Sequence, residues 1–185
     1  MSQGTKPISL DPQPARRQDF AELKGLMNKA NEYSFKRAGH YQWTSIKYSY
    51  STLREQVDDG EFFVIRNHAG VITSAIALAD NNVCWKQAGI GGPALYFTKF
   101  MKDPTKASPG EGRRLLSFAA GEALRRHKSL LRCDTTIETD GLIKYYTGLG
   151  FKKVSDFIYE ASGRPGVLLE IPAADLLVKI DTTSD

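Results

Sequence analysis

The stretch 106-KASPGEGRRLLSFAAGEA-123 decides how the rest of the chain is read. Gly110 and Gly112 stand two apart behind Pro109, and a long run without proline follows. In that run Leu115, Leu116, Ala119, Ala120, Ala123 and Leu124 fall on one helical face, while Arg113, Arg114, Ser117, Arg125 and Arg126 fall on the other. Glycine weakens a helix interior, so two of them at a helix start need a reason. The reason read here is close approach of an anion to the backbone. A helix N-terminus offers unpaired N–H groups and the positive end of a dipole.

Working outward, 94-ALYFTKFMKD-103 precedes the glycines and reads as a long strand. Before it, two β-branched and aromatic runs flank Asn67–His68–Ala69–Gly70, which predicts a β-hairpin over 61–80. The segment 51–60 reads as a short helix with Ser51 as N-cap and Gly60 as its stop. Phe20, Leu23, Leu26, Met27 and Ala30 have helical spacing, and 7-PISL-10 is a short strand candidate. Downstream, 129-SLLRCDTTI-137 is a compact apolar strand, and 139-TDGLIKYYTGLG-150 is a short helix closed by glycine. Two strands then flank the turn Ser162–Gly163–Arg164–Pro165. Strand–helix–strand units in the second half imply local parallel pairing, and the hairpins imply antiparallel flanks, so the expected sheet is mixed.

The 185 residues suit one domain, 1–185, with polar ends at 1–4 and 181–185 expected to be loose. A hydrophobic content of 41% and a charged content of 25% are those of a globular protein, and no apolar run is long enough for a membrane span. No signal-peptide pattern opens the chain, so a cytoplasmic location and no membrane partner are expected. Cys84 and Cys133 have neither metal nor redox spacing, so they are read as reduced thiols and no metal is expected. The net charge of +4 is spread along the chain without a basic block, which argues against a nucleic-acid partner.

This element order and three local motifs resemble the GNAT superfamily of acetyl-CoA-dependent N-acetyltransferases, over roughly residues 6 to 172. Gly110, Gly112, Leu115 and Leu116 match the family's Gly-x-Gly/Ala-x-x-Leu-Leu pattern, and Pro104 in 100-FMKDP-104 matches the proline ahead of it. Tyr146, Gly150 and Phe151 in 146-YTGLGF-151 match its tyrosine before Gly-Phe. Asp134 and Thr135 in 131-LRCDTTIET-139 look like the strand between those motifs. The chain departs from the family pattern at three places. Ala107 stands where Arg or Gln is usual, Glu111 puts a charge between the glycines, and Thr139 stands where Asn is frequent. The resemblance implies an α/β fold: a mixed, mostly antiparallel central sheet of six to seven strands flanked by about four helices.

The resemblance also implies acetyl-CoA as co-substrate and a set of roles. The N–H groups of Ser108 through Arg114, hence Ser108, Gly110, Glu111, Gly112, Arg113 and Arg114, would cradle its pyrophosphate, with Thr139 as a further contact. The backbone N–H of Met101 or Lys102 would receive the oxyanion. Tyr146, protonated at neutral pH, is the candidate acid for the leaving thiolate. His40, Asp80 and Asp134 are candidate bases, and bulk water could also carry the proton. Substrate contacts are expected from Asp134 and from the aromatic stretch after residue 32, with His40, Tyr41 and Trp43 foremost.

The function read from these residues is transfer of acetyl to a primary amine of a small molecule or peptide by direct attack. Asp58, Asp59 and Glu61 form too short an acidic patch to choose the acceptor. Two alternatives stand beside it: a non-catalytic acyl-CoA-binding module, and an acetyltransferase acting on aminoacyl-tRNA. Sheet edges left by the C-terminal strands leave room for a homodimer.

Overall fold

A computed structural model of the chain describes residues 11–43 and 46–182. The candidate strand at 7–10 lies outside them. The first described strand, β1 (Gln13–Pro14), is a two-residue edge paired antiparallel to β2 (Phe62–Arg66). A turn of 3-10 helix at Arg17–Asp19 leads into α1 (Phe20–Ala38), and α2 (Ile46–Asp58) follows. Ser51 is therefore interior to α2 and not its N-cap, because the helix begins five residues earlier.

The expected hairpin is β2 with β3 (Ile72–Ala79). Asn67 closes its turn by accepting N–H bonds from Ala69 at 3.0 Å and Val71 at 3.1 Å on Oδ1. A five-residue helix that the sequence reading passed over, α3 (Val83–Gln87), is capped by the Asn82 side chain on the N–H groups of Cys84 and Trp85. Then come β4 (Ala94–Lys102), α4 (Glu111–Arg125), β5 (Leu130–Thr136), α5 (Asp140–Gly148), β6 (Lys152–Ile158) and β7 (Pro165–Pro172). A last helix, α6 (Ala173–Thr182), was also missed, and it places residues 181 and 182 in ordered structure where a loose end was expected.

The seven strands run β1-β2-β3-β4-β5-β7-β6, a mixed, mostly antiparallel sheet of the expected kind, with six helices instead of about four. Among the described residues only β4 and β5 pair in parallel. β6 runs the same way as β5, but β7 lies between them, so the second strand–helix–strand unit does not give a parallel pair.

Helices cover both faces of the sheet, which is why nearly all of β3 is buried. One core, holding Leu115, Leu116, Ala119 and Leu176, lies between the sheet and α4 with α6. The other, holding Leu23, Met27, Leu53 and Met101, lies between the sheet and α1 with α2. Leu124, assigned to the apolar face of α4, is 41% exposed, because the core ends at Ala123.

Candidate active site

The parallel pair at the centre of the sheet opens. β4 and β5 are in register only from Ala94–Leu130 to Tyr96–Arg132. Beyond that, β4 stays bound to β3 as far as Lys102, and β5 stays bound to β7 as far as Thr136. The two strands thus diverge as a wedge, and backbone groups that a closed sheet would pair are left facing it. Asp103 N–H donates to Thr73 O at 2.7 Å, toward β3. Strand alternation then turns the Lys102 N–H away from β3 and into the wedge, and the Met101 N–H toward β3. The wedge is the centre of a cavity of about 1320 Å³. That exceeds the ~300–1,000 Å³ usual for one drug-sized ligand, so there is room for two reactants.

At one end of the cavity lies the loop that opened the sequence argument. Its shape is fixed by two buried carboxylates. Asp103 Oδ1 accepts from the Thr105 N–H at 2.9 Å, the Thr105 hydroxyl at 2.8 Å and the Lys106 N–H at 3.2 Å, and Lys29 Nζ reaches Oδ2 at 2.9 Å. Burial alone would raise its pKa, but the hydrogen bonds from Lys29 and Thr105, with the Lys29 charge, outweigh it and bring the carboxyl down to about 2. Glu111 does not face the loop mouth. Its side chain is 1% exposed and turned inward, where it accepts from the Thr73 hydroxyl at 2.8 Å, the Ser74 hydroxyl at 2.7 Å and the Ser108 N–H at 2.8 Å. The charge that looked misplaced between the glycines is the peg that holds the loop to β3.

Each glycine has its own reason. Gly110 has φ +85°, a left-handed conformation that side chains resist. A Cβ on Gly112 would stand 3.2 Å from the Phe100 ring and 3.4 Å from the Tyr145 hydroxyl. Fewer N–H groups are open here than the sequence implied. The Ser108 N–H goes to Glu111, and the Arg114 N–H closes on Gly110 O at 3.0 Å. Among the described residues the N–H groups of Gly110 and Gly112 have no acceptor within the chain, and both glycines and Arg113 line the cavity. Ser108 and Arg114 do not.

Across the wedge, Tyr146 is 3% exposed, with its ring edge-on to Phe97 at 5.6 Å between centroids and tilted against Phe151 at 5.4 Å. It lines the cavity, and burial holds its phenol well above the ordinary tyrosine pKa, with smaller contributions from Cys133, Tyr145 and Asp134. Asp134 on β5 accepts from Asn82 Nδ2 at 2.9 Å and from the Tyr159 hydroxyl at 2.8 Å. Burial raises its pKa, and these hydrogen bonds only partly oppose the rise. Thr139 spends its hydroxyl on Thr135 Oγ1 at 2.9 Å and Thr136 O at 2.6 Å, so it braces the start of α5. Cys84 also lines the cavity, but burial and then Asp134 push its thiol up to about 12, so it holds no thiolate at neutral pH.

The other end of the cavity is walled by α1, α2 and the segment between them. Trp43 lines it, held to α1 by Asn31, whose amide nitrogen donates to Trp43 O at 3.1 Å while its oxygen accepts the Trp43 N–H at 2.9 Å. His40 and Tyr41 lie off the cavity. His40 Nδ1 contacts Ala38 O at 3.0 Å, and Tyr41 stacks on Phe35 at 4.5 Å between centroids. Asp80 faces Arg126 and Lys128 outside the cavity. The sequence reading missed Asp103 and Lys99. Asp103 carried a signal, since Asp-Pro is a turn starter. Lys99 carried none. Among the described residues no group of His, Cys, Asp or Glu could hold a metal, and no helix is long and apolar enough to cross a membrane.

No protein-family model and no curated protein matches the sequence. Solved structures do match in fold. A GNAT-family acetyltransferase from Listeria monocytogenes is similar with a TM-score of 0.69 and 17% identity, over 87% of this chain and 93% of its own. The Salmonella typhimurium protein yncA, solved with its cofactor acetyl-CoA, is similar with a TM-score of 0.59 and 14% identity, over 89% and 94%. Spermidine N-acetyltransferase from Vibrio cholerae is similar with a TM-score of 0.61 and 15% identity, over 90% and 95%. The chain has the GNAT acetyltransferase fold.

Proposed function

We propose that the chain is an acetyl-CoA-dependent N-acetyltransferase that moves acetyl onto a primary amine of a small molecule or peptide by direct attack. The observation that carries this reading is the wedge between β4 and β5, with open helix-terminal N–H groups at one end and a buried tyrosine inside it. The solved relatives support it: one holds acetyl-CoA, and one is named for an amine acceptor.

In this reading Gly110, Gly112 and Arg113 hold the pyrophosphate at the positive end of α4. When bound, the thioester supplies the acetyl group. The Lys102 N–H is aimed at the oxyanion that forms on attack. Asp134, made more basic by burial, takes the proton of the incoming ammonium. Tyr146 keeps its proton until a thiolate needs it, because burial disfavours the phenolate. Burial raises the thiols of both Cys84 and Cys133, the cysteines that line the cavity, which favours direct attack by the amine over an acyl-enzyme route.

The test has two stages. Acetyl-CoA at about 100 times its Kd is expected to stabilise the fold by about 2.7 kcal/mol, which raises the melting temperature by roughly 5–10 °C for a chain of this size. Released CoA thiol is then followed with a panel of primary amines. Tyr146→Phe is expected to lower kcat about 100-fold with little change in KM for acetyl-CoA. An unmoved melting temperature at millimolar acetyl-CoA would sink the reading, and an unchanged kcat would remove Tyr146 from it.

A further inference from the structure

Lys99 occupies β4 with φ +46°, in the left-handed region that side-chain-bearing residues rarely enter. The register shows why. Thr98 pairs with Ala77 and Met101 with Ala75, so Lys99 and Phe100 together stand opposite Ile76, a β-bulge. The bulge breaks the alternation of faces. Phe97 and Phe100 pack into the core under α4, and Met101 packs into the core under α1 and α2. In a regular strand Lys99 would follow Phe97 into the α4 core, two residues apart on one face. Instead both Thr98 and Lys99 turn to α2. Lys99 Nζ donates to Gln56 Oε1 at 2.6 Å, and Gln56 Nε2 donates to Thr98 Oγ1 at 3.3 Å. A primary amine is thus held in the acceptor half of the cavity, on the same strand as the Lys102 N–H.

The charged groups that act on it are Glu61 from the turn after α2, Glu55 from α2 and Asp134 from β5, and Arg37 from α1 and Asp59 line the same cavity. Burial pushes the Lys99 amine down to about 8, against the opposing pull of Glu61, Glu55 and Asp134. At pH 7 roughly a tenth of it is neutral, against roughly three in ten thousand of an ordinary lysine. Among the described residues it is the lysine that most resembles an acceptor: half-buried, lining the cavity beside the wedge, and easier to deprotonate than an ordinary lysine.

Resting on the acetyl-transfer reading, we propose that Lys99 is a self-acetylation site, its ε-amine taking one acetyl group from acetyl-CoA when no other amine fills the acceptor half of the cavity. The neutral Nζ lone pair attacks the thioester carbonyl carbon, a C–N bond forms and the C–S bond breaks. The nitrogen gives up one proton, the departing thiolate gains one, and the products are Nε-acetyl-lysine and free CoA thiol. No oxidant or metal is needed. The acetylated side chain carries no charge against Glu55, Glu61 and Asp134, and it adds bulk where an acceptor amine would enter. Modification is therefore expected to slow transfer to other amines.

The experiment incubates the full chain with acetyl-CoA and no amine, from pH 6 to 9, and follows acetyl mass on the peptides carrying Lys99, Lys102 and Lys106. Lys99 is expected to label at least tenfold faster than the other two, with a rate that rises about tenfold from pH 6 to 7 and levels above pH 8. Excess CoA should suppress the labelling, and unfolding in guanidinium should erase the preference. Lys99→Arg should lose it while keeping the melting-temperature rise with CoA, and Lys99→Met serves as the second variant if the arginine does not fold. An unmodified Lys99, or equal labelling of all three lysines, overturns the proposal. The melting temperature separates the two failures. If CoA still stabilises the fold, only the self-acetylation falls. If it does not, the acetyl-transfer reading falls with it.

Discussion

At the α4 end of the cavity, Asp103 and Glu111 are 2% and 1% exposed, and between them they accept seven hydrogen bonds from the chain around them. At the end walled by α1 and α2, Tyr33 is 43% exposed, and the segment carrying Trp43 is held by single hydrogen-bonding side chains, Asn31 and Ser34 from α1 and Arg164 from the turn before β7. The first end is built before any ligand arrives. Its two buried charges are stabilising only because every donor is in place, and such networks specify a single backbone path. The second end spends little on its own shape. In the acetyl-transfer reading this end always meets the same pyrophosphate, and a rigid receptor lowers the ordering cost of binding it. Acceptor amines differ in shape, and a wall held by few contacts can adjust to them. Three substitutions test this contrast.

The largest effect is expected at Glu111. Glu111→Ala leaves the hydroxyls of Thr73 and Ser74 and the N–H of Ser108 without their acceptor inside the protein. The cost is about 3–5 kcal/mol, read by chemical denaturation at pH 7. If the variant folds, its KM for acetyl-CoA should rise more than tenfold, with KM for the acceptor little changed. A variant with wild-type stability would mean that the loop is not pegged to β3, and the contrast between the two ends would collapse.

Glu111 also shows where sequence reasoning reaches its limit. The hairpin around Asn67, the strand before the glycines and the helix after them could be read because their cues are local: alternation, turn residues and helical spacing. Where Glu111 points depends on β3, whose Thr73 and Ser74 are nearly forty residues away in sequence. Polar residues in a strand usually read as a solvent-facing side, and here both are wholly buried. The same limit hid the insertion of β7 between β5 and β6, since strand neighbours across a sheet are set by tertiary packing. Lys99 was illegible for a different reason: a bulge depends on the register against β3, and no residue of 94-ALYFTKFMK-102 announces it. By contrast α6 was there to be read. Leu176 and Ile180 stand four apart and are both buried, a short helical stripe after Pro172. Among the candidate site residues, the motif glycines, Met101, Lys102, Arg113, Asp134, Thr139, Tyr146 and Trp43 line the cavity, whereas Ser108, Glu111, Arg114, His40 and Tyr41 do not, because the resemblance points to a segment and the backbone path decides which of its side chains face in.

Asp103 sharpens the contrast through pH. Its carboxyl lies at about 2, below its ordinary 3.8. A depressed acid stabilises the fold fully above its unfolded value, and that stability is lost as pH falls from about 4 through about 2. The contribution at neutral pH is about 2 kcal/mol. Asp103→Asn should therefore unfold at lower denaturant than wild type at pH 7, and the two curves should converge as the pH approaches 2. Curves that stay equally far apart from pH 7 to 2 would mean that the charge on Asp103 is not what holds the loop.

The smallest effect on stability, and the most selective on function, is expected at Asn31. Asn31→Ala removes both bonds to the Trp43 backbone, yet that backbone lies near enough to solvent to recover water as a partner, so the loss is about 1 kcal/mol. Its functional effect should mirror that of Glu111→Ala. The Trp43 segment keeps its bonds from Ser34 and Arg164, so it loosens without detaching, and KM for the amine should rise a few-fold while KM for acetyl-CoA stays put. A rise in both constants would mean that the two ends of the cavity are mechanically coupled through α1, which also carries Lys29 to Asp103. A double-mutant cycle with Lys29→Met then decides the matter. Additive effects keep the ends independent, and a coupling of more than about 0.5 kcal/mol joins them.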